Sequence, residues 1–214
     1  YKRQIDSSSV FEIFQKNNNE VLKHFIKFQQ TWVNQAYTVF KDFDTYLVLI
    51  YLINKVFLNL SDRFHYMSFE SFYNQERLSI DKINLIEISK DLNIPKETIR
   101  RKVNFLQDQK ILYREGKSIF LNVSKIAIQK PVTSIGLIAA CLAKFSDLLS
   151  SQKWFGDKIS QETIVKFIQD HFTVSWEYFF RFQIPYLVRH RTFFGDLESW
   201  NVWGSIALVQ IREL

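Results

Sequence analysis

Two short amphipathic helices joined by a three-residue turn are written between Asn84 and Lys110, and no other feature of this chain constrains its fold as much. Asn84 is a good N-cap, and Glu87 stands three residues later, the spacing of a capping box. Leu85, Ile88 and Leu92 fall at i, i+3 and i+7, so the first helix has one apolar face. Asn93, tolerant of left-handed backbone, is expected to end it. Ile94 is then placed to plug back into the core, and Pro95 is pre-set for the first turn of a second helix running to about Lys110. In that helix Ile99, Val103 and Leu106 form the inward stripe, which leaves Lys96, Glu97, Arg100, Arg101 and Asn104 facing outward. Two β-prone runs, Ile111 to Arg114 and Lys117 to Leu121, flank a Glu115-Gly116 turn and predict a hairpin.

Charge concentrates on the same stretch. The whole chain carries a formal net charge of +6. Between Lys82 and Lys125 there are ten basic residues (Lys82, Lys90, Lys96, Arg100, Arg101, Lys102, Lys110, Arg114, Lys117, Lys125) against five acids (Glu87, Asp91, Glu97, Asp108, Glu115). Five of the six excess charges therefore sit on 44 residues. A solvated charged surface would account for the count alone, but the capped pattern beneath it points to an acidic partner.

The string Ile88-Ser89-Lys90-Asp91-Leu92-Asn93-Ile94-Pro95-Lys96-Glu97-Thr98-Ile99-Arg100-Arg101-Lys102-Val103-Asn104-Phe105-Leu106, continuing through Gln107-Asp108-Gln109-Lys110-Ile111-Leu112, resembles the winged helix-turn-helix domain of bacterial transcription regulators. The match covers residues 83–123. Ser89 stands where the family usually has Ala, and Asn93 and Lys110 stand where Gly is common. Both would then adopt a left-handed conformation without glycine's freedom, at small cost for Asn. The resemblance implies a scaffold helix, a recognition helix in the major groove of double-stranded DNA, and a wing on the backbone. The DNA-binding residues it implies are Lys96, Glu97, Thr98, Arg100, Arg101, Asn104, Arg114 and Lys117. Lys96, Arg100 and Arg101 can donate to guanine or phosphate, Asn104 can pair with adenine, and Glu97 can accept from cytosine. Arg114 and Lys117 flank the wing tip, suited to phosphate or the minor groove. A protein-docking role for the same module, inside a larger assembly, stays open beside DNA reading.

Outside this module the chain reads as helical and aromatic-rich, with 21 Phe, 9 Tyr and 5 Trp but only 5 Gly and 3 Pro. So few breakers favour long helices over a many-stranded barrel or sandwich. The expected fold is mainly α: an N-terminal helical segment (1–59), a connecting segment (60–81) that packs through its aromatics, the winged helix-turn-helix (82–125, a three-helix core with a small β-hairpin wing) and a C-terminal helical region (126–214). Shifting the chain on itself by 154 residues sets Phe25-Ile26-Lys27-Phe28-Gln29 against Phe179-Phe180-Arg181-Phe182-Gln183. The same shift sets Thr38 to Tyr46 against Thr192 to Trp200. This predicts an internal duplication, in which each copy is a helix pair ending in an acid-capped apolar helix. The second copy would lead into another module near position 237, so the chain is expected to belong to a longer protein. Its helices would pair as a homodimer or as an intrachain pseudo-dimer, matching the two-fold symmetry of two half-sites.

Signals for catalysis are poor, and the chain is read as not an enzyme and without a cofactor. The histidines (His24, His65, His171, His190) are scattered, the glycines isolated, and there is no metal-binding or phosphate-loop spacing. Cys141 is the sole cysteine, which fits a reducing compartment. The longest uncharged apolar runs, Tyr46 to Ile53 and Val132 to Ala143, fall short of a bilayer crossing. Ile135 to Leu142 is read instead as a helix buried on several sides. No signal peptide opens the chain, which begins at Tyr1, so the expected location is cytoplasmic, with no membrane partner. Arg189-His190-Arg191 is read as a solvated helix end. Trp154, Trp176, Trp200 and Trp203 are read as core or interface residues, and whether they serve a small-molecule effector is left unassigned.

Overall fold

The computed structural model describes residues 6–80, 84–116, 118–127, 132–151 and 156–213, without the side chains of 127 and 211–213. Over these residues the protein is mainly helical, with one small three-stranded antiparallel sheet. The chain divides into two compact units.

The unit made of Gln35–Lys130 and Phe167–Trp200 contains the patterned stretch. Its central element is α3 (Phe43–Asp62), capped by Asp42, whose carboxylate accepts the Asp44 amide. Leu47, Val48, Leu52, Val56 and Phe57 are almost wholly buried there, because neighbours cover more than one side of the helix. Helix α10 (Phe172–Phe194) packs along it, and so do β1 (Arg77–Ile80), α5 (Leu85–Leu92) and α6 (Lys96–Asp108). Burial on several sides explains why the Tyr46 to Ile53 run lacks the charged face of a surface helix. Phe57 anchors an aromatic cluster, stacked on Phe180 at 6.0 Å and tilted on Phe72 at 5.5 Å, with Phe172 5.2 Å from Phe72.

The stretch expected to connect α3 to the module has structure of its own. Helix α4 (Phe69–Tyr73) is capped by Ser68 and buries Phe72; the Met67 amide donates to Thr173 Oγ1 of α10, and the Met67 carbonyl accepts from the Thr173 amide. Phe64 and Tyr66 do not share in this packing and are exposed. Strand β1 follows, and the sheet order is β1-β3-β2, with β2 at Leu112–Glu115 and β3 at Ser118–Asn122. Arg77 lies opposite Asn122 and Ile80 opposite Ile119, while Leu112 lies opposite Leu121 and Glu115 opposite Ser118. The expected hairpin therefore supplies the central strand, β3, and one edge, β2, of a three-stranded sheet. A short helix, α7 (Val123–Ala127), follows it.

The other unit comprises Tyr1–Asn34, Pro131–Lys166 and Asn201–Leu214. Helix α1 (Ser7–Lys16), capped by Asp6, meets α8 (Val132–Ser150) through Phe14 and Phe145, 5.0 Å apart. Helix α9 (Gln161–Asp170) ties back to α8 through Gln161 Nε2, which donates to the Gly136 carbonyl. The expectation that Ile135 to Leu142 is buried on several sides is met only along one stripe of α8: Ile135, Ile138, Ala139, Ser146 and Leu149 are buried, whereas Leu142 is 44% exposed. By length and composition α3 and α8 could each cross a membrane, but 61% of the apolar window of α3 is buried within the protein, against 33% for α8. In the same unit α2 (Asn18–Phe40) approaches α11 (Leu197–Glu213) closely. A Cβ at Gly204 would stand 1.8 Å from Gln30 Nε2, so any larger residue there would require the Gln30 side chain to move. Asn201 donates to Asn34 at 2.9 Å, and Ser205 to Gln30 at 3.2 Å.

Helix bounds follow the 154-residue shift. Helices α2 and α10 each have 23 residues and begin 154 positions apart, as do α3 and α11. The turns before α3 and α11 agree as well: Lys41 and Gly195 both have positive φ, and Asp42 and Asp196 both accept an amide of the helix that follows. Of the five tryptophans, Trp32, Trp176 and Trp200 are buried, Trp203 is half exposed, and Trp154 lies outside the described residues.

Candidate nucleic-acid interface

The local chemistry of α5 and α6 follows the sequence closely. Asn84 Oδ1 accepts the Ile86 and Glu87 amides. Glu87 does not close a reciprocal box: its carboxylate accepts from Lys55 Nζ of α3 at 2.6 Å, and this cation holds it below the usual carboxylate range. Asp91 accepts from the Tyr51 hydroxyl at 2.5 Å. Burial, followed by the two carboxylates Asp91 and Glu87, pushes the Tyr51 hydroxyl well above its ordinary value. A cleft of about 360 Å³ lies beside these pairs, lined by Leu52, Asn59, Ile80 and Ile88 among others.

Asn93 is left-handed, with φ 51°. Ile94 behind it is 1% exposed, and its amide returns to the Ser89 carbonyl. Ser89, at the position where alanine was expected, uses its hydroxyl to donate to the Ile94 carbonyl at 2.7 Å. Pro95 has φ −53° and stands one position before the helix, as its cap, and α6 begins at Lys96. It offers no side-chain acceptor, so the first-turn amides of α6 have no side-chain cap. Lys110 is left-handed at φ 57° and ends the helical stretch, with the Ile111 amide returning to the Leu106 carbonyl.

Ile99, Val103 and Leu106 are buried, and Lys96, Glu97, Arg100, Arg101 and Asn104 are exposed on the opposite side of α6. Thr98 is half-buried, and its hydroxyl accepts from Arg101 Nη2 at 3.3 Å. Arg100 is held by Glu97 through two bonds, Nη2 to Oε1 at 2.6 Å and Nε to Oε2 at 3.0 Å. That pairing keeps the Glu97 carboxyl below its usual range. Arg114 is exposed on β2 beside the Gly116 turn, where φ is 60°. Lys117 lies outside the described residues. Lys90, Lys110 and Lys125 are exposed cations of the same unit.

Two basic residues have structural duties instead. Lys102 is bound by Asp42, which ties α6 to the start of α3. Burial raises the Asp42 carboxyl, but the bonds from Lys102 and Thr45 outweigh it and hold the group below its ordinary value. Arg191 corrects the reading of Arg189-His190-Arg191 as a solvated end. Its guanidinium donates to Asp44 through Nε at 2.8 Å and Nη2 at 3.2 Å, and to the Asn93 carbonyl through Nη1 at 2.9 Å. Asn93 Nδ2 donates in turn to Thr192 Oγ1 at 3.0 Å, so α10 grips the turn between α5 and α6. His190 packs between Tyr186 and Trp200, and Arg189 alone of the three is exposed.

Sequence reasoning missed Arg77. It donates to Glu115 at 2.6 Å and covers the Phe120 ring at 5.0 Å, beside the stacked cross-strand pair Tyr113 and Phe120. The alternation Arg77-Leu78-Ser79-Ile80, exposed and buried by turns, was the available signal. Among the described residues no group of three or more His, Cys, Asp or Glu side chains gathers as a metal site. No protein-family model, curated protein or solved structure matches the chain.

Proposed function

We propose that residues 69–122 form a winged helix-turn-helix that binds double-stranded DNA, and that the protein is a sequence-specific transcription regulator acting in the cytoplasm. The element order α4, β1, α5, α6, β2, β3 supports this, since it supplies three helices and a strand-closed hairpin in the sequence the resemblance implies. The observation that carries the reading is the division of α6 into two faces. One is buried through Ile99, Val103 and Leu106; the other presents Lys96, Arg100, Arg101 and Asn104 to solvent. A helix of this kind fits the major groove, and such side chains suit base edges and phosphate.

In this reading Glu97 has a presenting role. Its two bonds fix the Arg100 guanidinium and leave Nη1 to donate outward. The uncapped first turn of α6 adds a partial positive charge where a phosphate would lie. Arg114 serves the wing. Exposed Ile86 and Phe105 favour a second reading, in which the module docks a protein instead. Selection of bound duplexes from a random library separates the two: DNA reading predicts an enriched motif whose enrichment is lost in Arg101→Ala, and docking predicts no enrichment in either protein.

A further inference from the structure

The repeat leaves one helix face whose counterpart is covered. In the first copy the stripe Val48, Leu52 and Lys55 runs along α3 at i, i+4 and i+7. Val48 is 0% and Leu52 1% exposed. Leu52 and Lys55 line the cleft with Ile80 of β1 and Ile88 of α5, and Lys55 reaches Glu87 of α5. The module that follows α3 in the chain is therefore what lies over this end of it.

In the second copy the same positions of α11 are Val202, Ile206 and Val209, and they are 61%, 55% and 55% exposed. All three are apolar and β-branched, a choice that helix propensity alone disfavours and that a solvated face does not call for. Val209 is the counterpart of Lys55, so this face is more apolar than the covered one. The equivalence rests on the matching bounds, turns and caps of the two helix pairs. It rests also on the crosswise pairing within each unit: α10 of the second copy packs on α3 of the first, and α11 of the second bonds to α2 of the first. Such an exchange is what two copies make when each supplies the other's partner.

We infer that the Val202, Ile206 and Val209 face of α11 is the seat of a second module of the α5–α6–hairpin kind, carried by the same polypeptide C-terminal to α11, as the first module follows α3. This goes beyond the DNA reading and stands or falls separately from it, since the seat requires only that the second module pack as the first does.

The test is site-specific alkylation in a Cys141→Ser background. Ile206→Cys is placed in the 214-residue chain and in the protein expressed from its complete reading frame, and Val209→Cys serves as the second variant should the first misfold. Iodoacetamide should react readily in the 214-residue chain and about tenfold or more slowly in the complete protein, as expected for a packed position that opens only transiently. A photo-crosslinker on the same cysteine should map to a capped helix or strand corresponding to α5 or β1. A reading frame that stops at Leu214, equal reactivity in the two proteins, or a crosslink to any other segment or to another chain would overturn the inference.

Discussion

Replacing Arg191 by Met keeps the length and much of the apolar stem of the side chain while removing all its donors. The Arg191 side chain is 16% exposed and that of its partner Asp44 23%, so water can replace little of what is lost. Three bonds vanish, two to a carboxylate and one to the Asn93 carbonyl, and both acceptors are left short of a donor. Charge-assisted bonds of this kind are each worth about 1.5–3 kcal/mol, and they are not additive when they share one group, so the expected loss is about 2–3 kcal/mol. For a chain of this size one kcal/mol moves Tm by roughly 2–4 °C, which places the fall near 4–12 °C. Calorimetry on Arg191→Met, Asp44→Asn and the double variant measures it, with an expected coupling of about 1 kcal/mol or more. A Tm within about 1 °C of the parent, with coupling below about 0.5 kcal/mol, would show that Arg191 is effectively solvated. The argument that α10 holds the α5–α6 turn would then fail.

Three further outcomes are expected. Arg101→Ala should reduce preference for a selected site over random duplex by about 1–3 kcal/mol, whereas Arg114→Ala should weaken both nearly equally; competition binding distinguishes them, and equal losses in both variants would place α6 on the backbone. Ile50→Asp puts a carboxylate where α3 is 3% exposed, and circular dichroism should show the fold lost or destabilised by more than about 4 kcal/mol, against a near-neutral surface control. Asp42 has a lowered folded pKa, so its contribution is present above its unfolded value and is lost as pH falls through the folded one. The stability gap between the parent and Asp42→Asn should therefore hold at pH 5–7, close to neutral for this test, and shrink below about pH 4; a gap constant down to pH 2 would contradict the Lys102 tie.

Much of the candidate site was legible because its determinants are local. Asn84, Asn93 and the Ile99, Val103 and Leu106 stripe act within a turn or two of themselves, so their spacing alone predicts caps, a left-handed stop and an inward face. The 154-residue shift was legible for a related reason, since Asp42 and Asp196 mark helix starts by local capping. What escaped depends on distant partners. Strand β1 has four residues, and it pairs with β3 some forty residues later, which no local pattern announces. Arg191 looked solvated beside Arg189 and His190 because Asp44 lies 147 residues away. The apolar composition of α8 suggests burial on several sides, yet composition cannot say how many neighbours are present to cover it. The Glu97 and Arg100 pair was within reach of sequence reasoning, since i, i+3 neighbours share a helix face.

The proposed binding of duplex DNA through a cluster of phosphate-contacting cations is tested most directly by a salt titration. Lys102 is committed to Asp42 and the exposed Arg77 of β1 to Glu115, which leaves Lys90, Lys96, Arg100, Arg101, Lys110, Arg114 and Lys125 as further exposed cations among the described residues of the stretch 77–125. If about five of them meet phosphate, log K against log salt for a double-stranded oligonucleotide should be linear with a slope near −4 to −5. Binding absent even at low salt, or binding whose slope is near zero, would contradict the account.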